Sequence, residues 1–293
     1  MKLLFSNFRK KASIKPIMNQ QGMYCLNIGC GDHYFNDWVN LDIEQEANVQ
    51  YCDINNKLPF GDNSFDLAYS SNVIEHLDRQ CVVGFLSEVY RVLKPGGTVR
   101  ILTPDFERMC REYLVNLEEW DKSGEEVCRL RYDWILLEIF DQMVRERPGG
   151  QMAEALRCGE VDREYVLRRT GDELMGYFSE GNHKILAEKN KNEGGFSVGK
   201  WHGVARKCKN AIKELLNRKK AYAVRKGERH KWYYDRVSLR FLLQKAGFVG
   251  CAIVDYRISR ICNWGSMNLD KSRFRDAPRK PDSIIVEASK PSC

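Results

Sequence analysis

Residues 26–42 read LNIGCGDHYFNDWVNLD and contain two short apolar runs, each followed by residues suited to ligand binding. The first run stops at the glycine turn Gly29-Cys30-Gly31, where a ligand can approach the backbone closely. The second run ends at Asp42, a carboxylate that can accept hydrogen bonds from both hydroxyls of a ribose. Ligands of open α/β sheets bind beyond the carboxyl ends of the strands. The glycine turn and Asp42 are therefore predicted to share one edge of one sheet.

The spacing of these residues differs from the dinucleotide-binding fingerprint. That fingerprint is G-x-G-x-x-G, followed by an acid about 20 residues further along the chain. In this sequence Tyr34 occupies the third glycine position, and Asp42 comes early. A G-x-G by itself is weak evidence, because glycines often mark only a turn. The interpretation therefore depends on the segments that follow.

Three further segments continue the pattern of short strands alternating with helices. They read YCDI at residues 51–54, LPFGDNSFDLAYSSNVIEHL at residues 58–77 and EVYRVLKPGGTVRILTPD at residues 88–105. The alternation predicts an α/β fold with helices on both faces of a parallel sheet. Two strands are expected near the C-terminus, at residues 249–256 and 283–287. A direct loop joins them, which favours an antiparallel last strand.

In this order, the blocks resemble the class I S-adenosylmethionine-dependent methyltransferases, specifically the branch called methyltransferase type 11. The resemblance covers residues 22–105, and a weaker resemblance extends from residue 230 to the C-terminus. It implies a Rossmann-like, seven-stranded, mostly parallel sheet with an antiparallel last strand, and S-adenosyl-L-methionine as cofactor. The chain also resembles bacterial methyltransferases found among glycan-assembly functions, which implies a cytoplasmic enzyme.

The resemblance assigns cofactor roles by position. The glycine turn would hold the methionine part of the cofactor, Asp42 the ribose, and Asp53 with Ile54 the adenine. Two departures from the family pattern are Asn27, where an acid is usual, and His33, where a third glycine is common. The expected cofactor contacts are Asn27, Gly29, Cys30, Gly31, His33, Asp42, Ile43, Asp53, Ile54, Ser70, Ser71 and Asn72.

Three residues are candidates for the chemical step. Methyl transfer needs alignment and exclusion of water, and a base helps when the acceptor is a hydroxyl. His76 follows the fourth strand at the ligand edge, although it could instead bond a backbone carbonyl at a helix start. His230 lies where the chain returns to the core, although it could be a packed hinge residue. Asp105 is a candidate by position alone. No metal site is expected, because the cysteines are not at zinc-ligand spacing.

The predicted organisation is a core with one large insertion. Residues 1–21 form an N-terminal tail or helix, which as a basic amphipathic helix could contact a membrane surface. Residues 22–105 and 230–293 form the methyltransferase core. Residues 106–229 form a helical cap over the active site, since apolar residues recur at three-and-four spacing and the insertion leaves from the ligand edge.

Composition sets broad bounds on the protein. The 293 residues are 43% hydrophobic and 30% charged, which is typical of a globular chain. No apolar run approaches the roughly 18 residues of a membrane span. The eleven cysteines are scattered without a C-x-x-C pair, which favours a reducing, cytoplasmic setting. The net charge of +7 permits an acidic substrate.

The leading hypothesis is O-methylation of a sugar or other polar small molecule in surface-glycan biosynthesis, and an N-methyl acceptor is also compatible. One alternative is a catalytically silent cofactor-binding partner of a glycan enzyme, motivated by Asn27. Another is a nucleic-acid methyltransferase that docks through the basic helix at residues 206–231. Nucleic acid is disfavoured because SSNV at residues 70–73 lacks the proline-and-aromatic signature of base methyltransferases. The sequence does not predict the oligomeric state.

Overall fold

A computed structural model describes residues 15–178, 228–267 and 269–292 of the chain. The strands are β1 (Cys25–Ile28), β2 (Val39–Asp42), β3 (Gln50–Tyr51), β4 (Phe65–Ser71), β5 (Leu93–Pro104), β6 (Val249–Ile253) and β7 (Ser283–Ser289). The helices are α1 (Val82–Val92), α2 (Phe106–Ser123), α3 (Glu126–Leu136), α4 (Gln142–Val144), α5 (Gly150–Cys158), α6 (Arg163–Thr170), α7 (Asp172–Phe178), α8 (Arg236–Lys245) and α9 (Trp264–Met267). A 3₁₀ turn (Ile74–His76) follows β4, and a π-helical turn (Leu137–Asp141) joins α3 to α4.

The seven strands form one sheet in the order β3-β2-β1-β4-β5-β7-β6. The neighbours from β3 to β5 pair in parallel, whereas β7 pairs antiparallel with both β5 and β6. This confirms the predicted seven-stranded sheet with its antiparallel last strand. Because β1, β2 and β4 are parallel, their carboxyl ends lie at one edge of the sheet. That edge carries Gly29, Asp42 and Asn72.

Apolar side chains on both faces of the sheet hold the layers together. On one face α1 buries Val82, Phe85, Leu86 and Val89, whose three-and-four spacing places them on one side of the helix. These side chains pack in a cluster with residues of β1, β2, β4 and α8. A second cluster on the other face includes Trp38 and the segment around α9. The strand ends are therefore held rigidly by a core on each side.

Strand β5 begins earlier than the sequence predicts. The Lys-Pro-Gly-Gly run at residues 94–97 predicts a turn between α1 and a strand that starts at Thr98, but in the structure the strand already starts at Leu93. Leu93 pairs with Phe65 and Thr98 pairs with Leu67, so the intervening residues bulge out of the ladder. Lys94 holds the bulge, since its Nζ lies 2.8 Å from both carboxylate oxygens of Asp66.

The segment after β5 is helical from α2 to α7. Asp105 caps the start of α2 by accepting a hydrogen bond from the backbone N–H of Arg108, and Gly124 ends α2 in the left-handed conformation. A buried ion pair between Arg169 and Glu138 joins α6 to the π-helical turn. The rest of the predicted cap, including residues 206–227 of the basic segment, lies outside the described residues. No helix within the described ranges combines the length and apolarity needed to cross a membrane.

A buried ionic network ties the last strands to the loop between β6 and β7. The Arg100 side chain on β5 is fully buried. Its Nε donates to Asp270 at 2.7 Å, and its Nη1 donates to Glu287 on β7 at 2.6 Å. Glu287 also accepts from the backbone N–H of Arg260. One guanidinium therefore satisfies two carboxylates that are shielded from water.

We expect Arg100→Met to lower the free energy of unfolding by about 3–5 kcal/mol, because it leaves two buried carboxylates without their cation. Urea denaturation followed by circular dichroism measures this change. Lys122→Met is the matched control, because its ion pair with Glu118 is 75% and 68% exposed and such pairs contribute about 0.5 kcal/mol or less. Equal stability of the two variants would contradict the assigned role of Arg100.

Candidate functional site

The glycine turn after β1 is fixed by backbone hydrogen bonds to the end of β2. The N–H groups of Gly29 and Cys30 donate to the Leu41 carbonyl at 2.8 and 3.1 Å. Gly29 has a φ of +67°, and a Cβ there would lie 2.3 Å from a methyl carbon of Val73. Gly31 has a φ of +52°, and no atom lies within 4 Å of the position its Cβ would take. The turn thus requires glycine at both positions for backbone conformation, and it leaves an open cradle beside Gly31.

A cavity of about 700 Å³ lies over this cradle and the end of β2. Asp42 lines it, with one carboxylate oxygen 2.9 Å from the N–H of Gly31 and the other 3.1 Å from the N–H of Glu44. Each oxygen keeps a lone pair for a further donor. The wall mixes acids and amides with apolar side chains. It includes Ile43, Asp53, Ile54, Asn55, Cys52, Asn72, Val73, His76 and Leu77.

A second cavity of about 340 Å³ adjoins the first at Gly29, Gly31, Asn72 and His76. Its wall is dominated by polar and charged side chains from distant parts of the chain. They include Asn27, Asp32, His33, Ser71, Gln142, Arg145, Glu173, Glu228, His230, Arg279, Lys280 and Asp282. Two compartments thus meet at the carboxyl ends of β1 and β4.

His76 lies at the junction of the two cavities. Its Nδ1 is 2.9 Å from the carbonyl oxygen of Arg229. A carbonyl can only accept, so Nδ1 carries the proton and Nε2 keeps its lone pair. Burial lowers the pKa of His76, which keeps the ring neutral near pH 7. His76 therefore offers a basic nitrogen at the junction.

Glu75 and His230 are buried beside His76. The carboxyl of Glu75 accepts from the hydroxyl of Thr103 at 3.1 Å, and burial raises its pKa to about 8. His230 packs edge-on against His76 with ring centroids 4.8 Å apart, and burial lowers its pKa to about 2. The backbone N–H of His230 donates to the Gln142 carbonyl, and that of Lys231 donates to the Glu75 carbonyl. These hydrogen bonds connect residues 230–231, where the chain rejoins the core, to both the insertion and the core.

His33 and Asn27 shape the wall of the smaller cavity. The Asn27 amide donates to the carbonyl of His33 at 3.1 Å and lies 3.3 Å from the side-chain oxygen of Asn40. His33 Nε2 lies 3.0 Å from the Leu269 carbonyl, and its Nδ1 accepts from Arg273. Burial lowers the pKa of His33 to about 4. Both side chains are therefore held by the protein itself.

Comparison with known proteins matches residues 26–101 to the family model described as a methyltransferase domain. A 53-residue stretch is 50% identical to a ubiquinone/menaquinone biosynthesis C-methyltransferase of Desulfotalea psychrophila, over 18% of this chain and 20% of that protein. A 102-residue stretch is 33% identical to a probable S-adenosylmethionine-dependent methyltransferase of Mycolicibacterium smegmatis, over 29% of this chain and 39% of that protein.

Residues 26–101 therefore carry an S-adenosylmethionine-dependent methyltransferase domain. S-adenosylmethionine is the cofactor of that domain. The chain spans less than half the length of each of these two relatives. Among solved structures, a SAM-dependent methyltransferase from Thermotoga maritima, titled a possible histamine N-methyltransferase, aligns with a TM-score of 0.38 and 15% identity, over 92% of this chain and 82% of that one.

The residues of the larger cavity fit S-adenosylmethionine. The open cradle at Gly31 leaves room beside the backbone, and Asp42 offers two carboxylate oxygens for ribose hydroxyls. Ile54 and Leu77 supply apolar walls for a flat base, with Asp53 beside them. When bound, the cofactor supplies a methyl group on a positively charged sulfur.

The structure distributes the predicted site residues over both cavities. Seven expected cofactor contacts line the larger one, namely Gly29, Gly31, Asp42, Ile43, Asp53, Ile54 and Asn72. Asn27, Cys30, His33 and Ser71 line the smaller one, together with His230. Ser70 lines neither, because alternate residues of β4 point to opposite faces and Tyr69 and Ser71 face the cavity. Asp105 also lines neither, since its carboxylate caps α2.

Sequence reasoning missed most of the smaller cavity. Gln142 and Arg145 come from the π-turn region of the insertion, and Arg279, Lys280 and Asp282 come from the loop before β7. None of these residues belongs to a motif near the glycine turn. The available signal is weak: the loop at residues 257–282 is long and polar, as expected for a segment that covers a site.

We expect Asp42→Ala to weaken S-adenosylmethionine binding more than tenfold, a loss of at least about 1.4 kcal/mol. The variant loses the ribose acceptor and also the carboxylate that orients the N–H of Gly31. Isothermal titration calorimetry with the purified chain measures the affinity. Glu46→Ala is the control, because Glu46 is a nearby exposed acid that lines neither cavity. Equal affinities would refute the assignment of Asp42.

Proposed function

We propose that the whole chain is an active methyltransferase that transfers the methyl group of S-adenosylmethionine to a hydroxyl of a polar small molecule, with a sugar of a surface-glycan precursor as the leading acceptor class. The observation that carries this proposal is the smaller cavity. It adjoins the cofactor cavity at the glycine turn, it has a volume of about 340 Å³, and its wall is polar and charged. Such a wall suits a small, hydrogen-bonding acceptor better than an apolar one.

The positions of the side chains suggest how the chain promotes transfer. The two cavities meet at Asn72 and His76, so an acceptor in one compartment faces the cofactor in the other. Holding the two reactants in line is the main requirement of a displacement at a methyl group. We assign His76 Nε2 to receive the acceptor proton as the new O–CH₃ bond forms. His230, packed edge-on against His76, limits the positions that the ring of His76 can take.

The predicted cap is part of the same proposal. Gln142, Arg145 and Glu173 of the insertion line the acceptor cavity, and Glu228 does so where the insertion ends. Gly29 and Gly31 of the core line the same cavity. We propose that residues 106–229 act as a cap that selects the acceptor, whereas residues 22–105 bind the cofactor.

The catalytically silent alternative is motivated by Asn27, which replaces a usual acid. In the structure the Asn27 amide connects β1 to the His33 carbonyl and to Asn40. It therefore has a role in shaping the loop that does not depend on a negative charge. The cofactor cavity retains Asp42 and Asp53, so the loss of the acid does not remove the groups assigned to the ribose and adenine.

The acceptor class is tested by incubating the purified chain with S-adenosylmethionine labelled in its methyl group and three acceptor pools. The pools are nucleotide sugars, glycan fragments and RNA. We expect label in the sugar-containing pools and none in RNA. Label in RNA alone would support the nucleic-acid alternative, and cofactor binding without label in any pool would support the silent one.

With an acceptor identified, we expect His76→Gln to lower kcat by about 10²–10⁴ while the affinity for S-adenosylmethionine is unchanged. Glutamine keeps a hydrogen-bonding group of similar reach but cannot take a proton. Steady-state kinetics give kcat, and calorimetry gives the affinity. Ser87→Ala, at an exposed position of α1 that lines neither cavity, should behave as the native chain. A near-native kcat for His76→Gln would contradict the assignment of His76 as the base and would indicate a structural role.

A further inference from the structure

Three potential metal ligands converge beside the acceptor cavity. Glu75, His76 and His230 each place one ligand atom within 4.8 Å of the others. Glu75 and His76 are neighbours in the 3₁₀ turn after β4, whereas His230 comes from the end of the insertion. The backbone bond from Lys231 to the Glu75 carbonyl brings the two segments together. The fold, rather than a sequence motif, thus assembles two imidazoles and a carboxylate.

Two of these side chains have buried polar atoms without a partner. Glu75 is fully buried and His230 is 6% exposed. Among the described residues, Oε1 of Glu75 and Nδ1 of His230 have no hydrogen-bond partner. Each unsatisfied buried polar atom costs about 1–3 kcal/mol. Two such atoms on adjacent side chains indicate that a bound group completes the site.

The hydrogen bonding of His76 matches that of a metal-binding histidine. Its Nδ1–H donates to the backbone carbonyl of Arg229, which fixes the ring and directs the Nε2 lone pair away from that carbonyl. Metal-binding histidines nearly always donate their second ring nitrogen to a carbonyl or carboxylate in this way. Thr103 supports the carboxyl of Glu75 similarly. Supporting contacts of this kind are therefore present for two of the three proposed ligands, His76 and Glu75.

We propose that Glu75, His76 and His230 together bind one divalent transition-metal ion, such as Zn²⁺ or Co²⁺. Two imidazole nitrogens and one carboxylate oxygen suit such ions, whereas Mg²⁺ prefers oxygen ligands alone. His76 and His230 both line the acceptor cavity, so the remaining coordination positions face that cavity.

Coordination requires a modest closure of the cluster. Ligand atoms around tetrahedral zinc lie about 3.3 Å apart, so the three atoms approach one another by at most about 1.5 Å on binding. Side-chain rotation accounts for a movement of that size. Two of the cations that line the cavity are already paired with acids, which reduces their repulsion of a metal ion: Lys280 pairs with Glu173 at 3.3 Å, and Arg145 pairs with Asp141 at 3.2 Å.

The chemical role of the ion rests on the proposed function, whereas its binding does not. A metal ion draws electron density from a coordinated hydroxyl and lowers the pKa of that hydroxyl. His76 would then act as a ligand of the ion, and the coordinated hydroxyl would release its proton to water before its oxygen takes the methyl group. The loss of kcat on replacing His76 is expected in both cases, but only the ion makes turnover sensitive to chelators.

The test is calorimetric titration of Zn²⁺ into the full chain after dialysis against a chelator. We expect one ion per chain, with affinity reduced at least tenfold in both Glu75→Gln and His230→Gln. Circular dichroism and S-adenosylmethionine binding verify that each variant is folded. His33→Gln is the matched control, because His33 lines the same cavity but has both ring nitrogens engaged by Leu269 and Arg273. It should bind the ion as the native chain does.

Co²⁺ absorption distinguishes this site from the thiols of the chain, such as the exposed Cys158 and Cys262. An imidazole and carboxylate site gives ligand-field bands without the thiolate-to-cobalt charge-transfer band. Absence of a stoichiometric site, a thiolate band, or native affinity in both folded variants would overturn the proposal. Because the cofactor titration is run on the same samples, failure of ion binding with intact cofactor binding leaves the proposed methyltransferase function standing.

Discussion

The geometry of the candidate site depends on the hydrogen bonds that the backbone carbonyl of Leu41 accepts. This carbonyl accepts from the N–H groups of both Gly29 and Cys30, so the turn after β1 is anchored to the neighbouring strand. This anchor places the N–H of Gly31 against the Asp42 carboxylate at 2.9 Å. Substitution at Gly29 would strain both its positive φ and its contact with Val73. The cofactor cradle is therefore set by the backbone, with side chains added at its rim.

A second constraint on the site extends from the interior of the sheet to the smaller cavity. Arg100 holds the Asp270 carboxylate, and the Tyr69 hydroxyl donates to the same carboxylate at 2.8 Å. The backbone carbonyl of Asp270 in turn accepts from the N–H of Arg279 at 2.6 Å. Arg279 then lines the smaller cavity beside Lys280. The buried ion network thus stabilises the sheet and also positions a loop that contributes to the wall of the cavity.

Local sequence is enough to predict the strand ends that carry the glycine turn and Asp42. Gly29, Gly31 and Asp42 lie within one strand–turn–strand unit, where spacing and strand order determine position. The start of β5 could not be predicted, because the strand-like pairing around residues 94–97 depends on the contact of Lys94 with Asp66 on another strand. The proximity of Glu75 and His230 also could not be predicted from the sequence, because it depends on where the long insertion rejoins the core.

The two cavities draw their walls from different parts of the chain. Most residues of the larger cavity lie between positions 29 and 77, within the range that matches the methyltransferase domain, and Glu228, Arg229 and Lys231 complete its wall. The smaller cavity adds side chains from the insertion and from the loop before β7, both beyond residue 101. Sequence similarity confined to residues 26–101 therefore carries information about most of the larger cavity and little about the smaller one. Changes at Gln142 or Arg279 can alter the wall of the smaller cavity without removing the bonds that hold the cradle, because those bonds join Gly29 and Cys30 to Leu41 of β2.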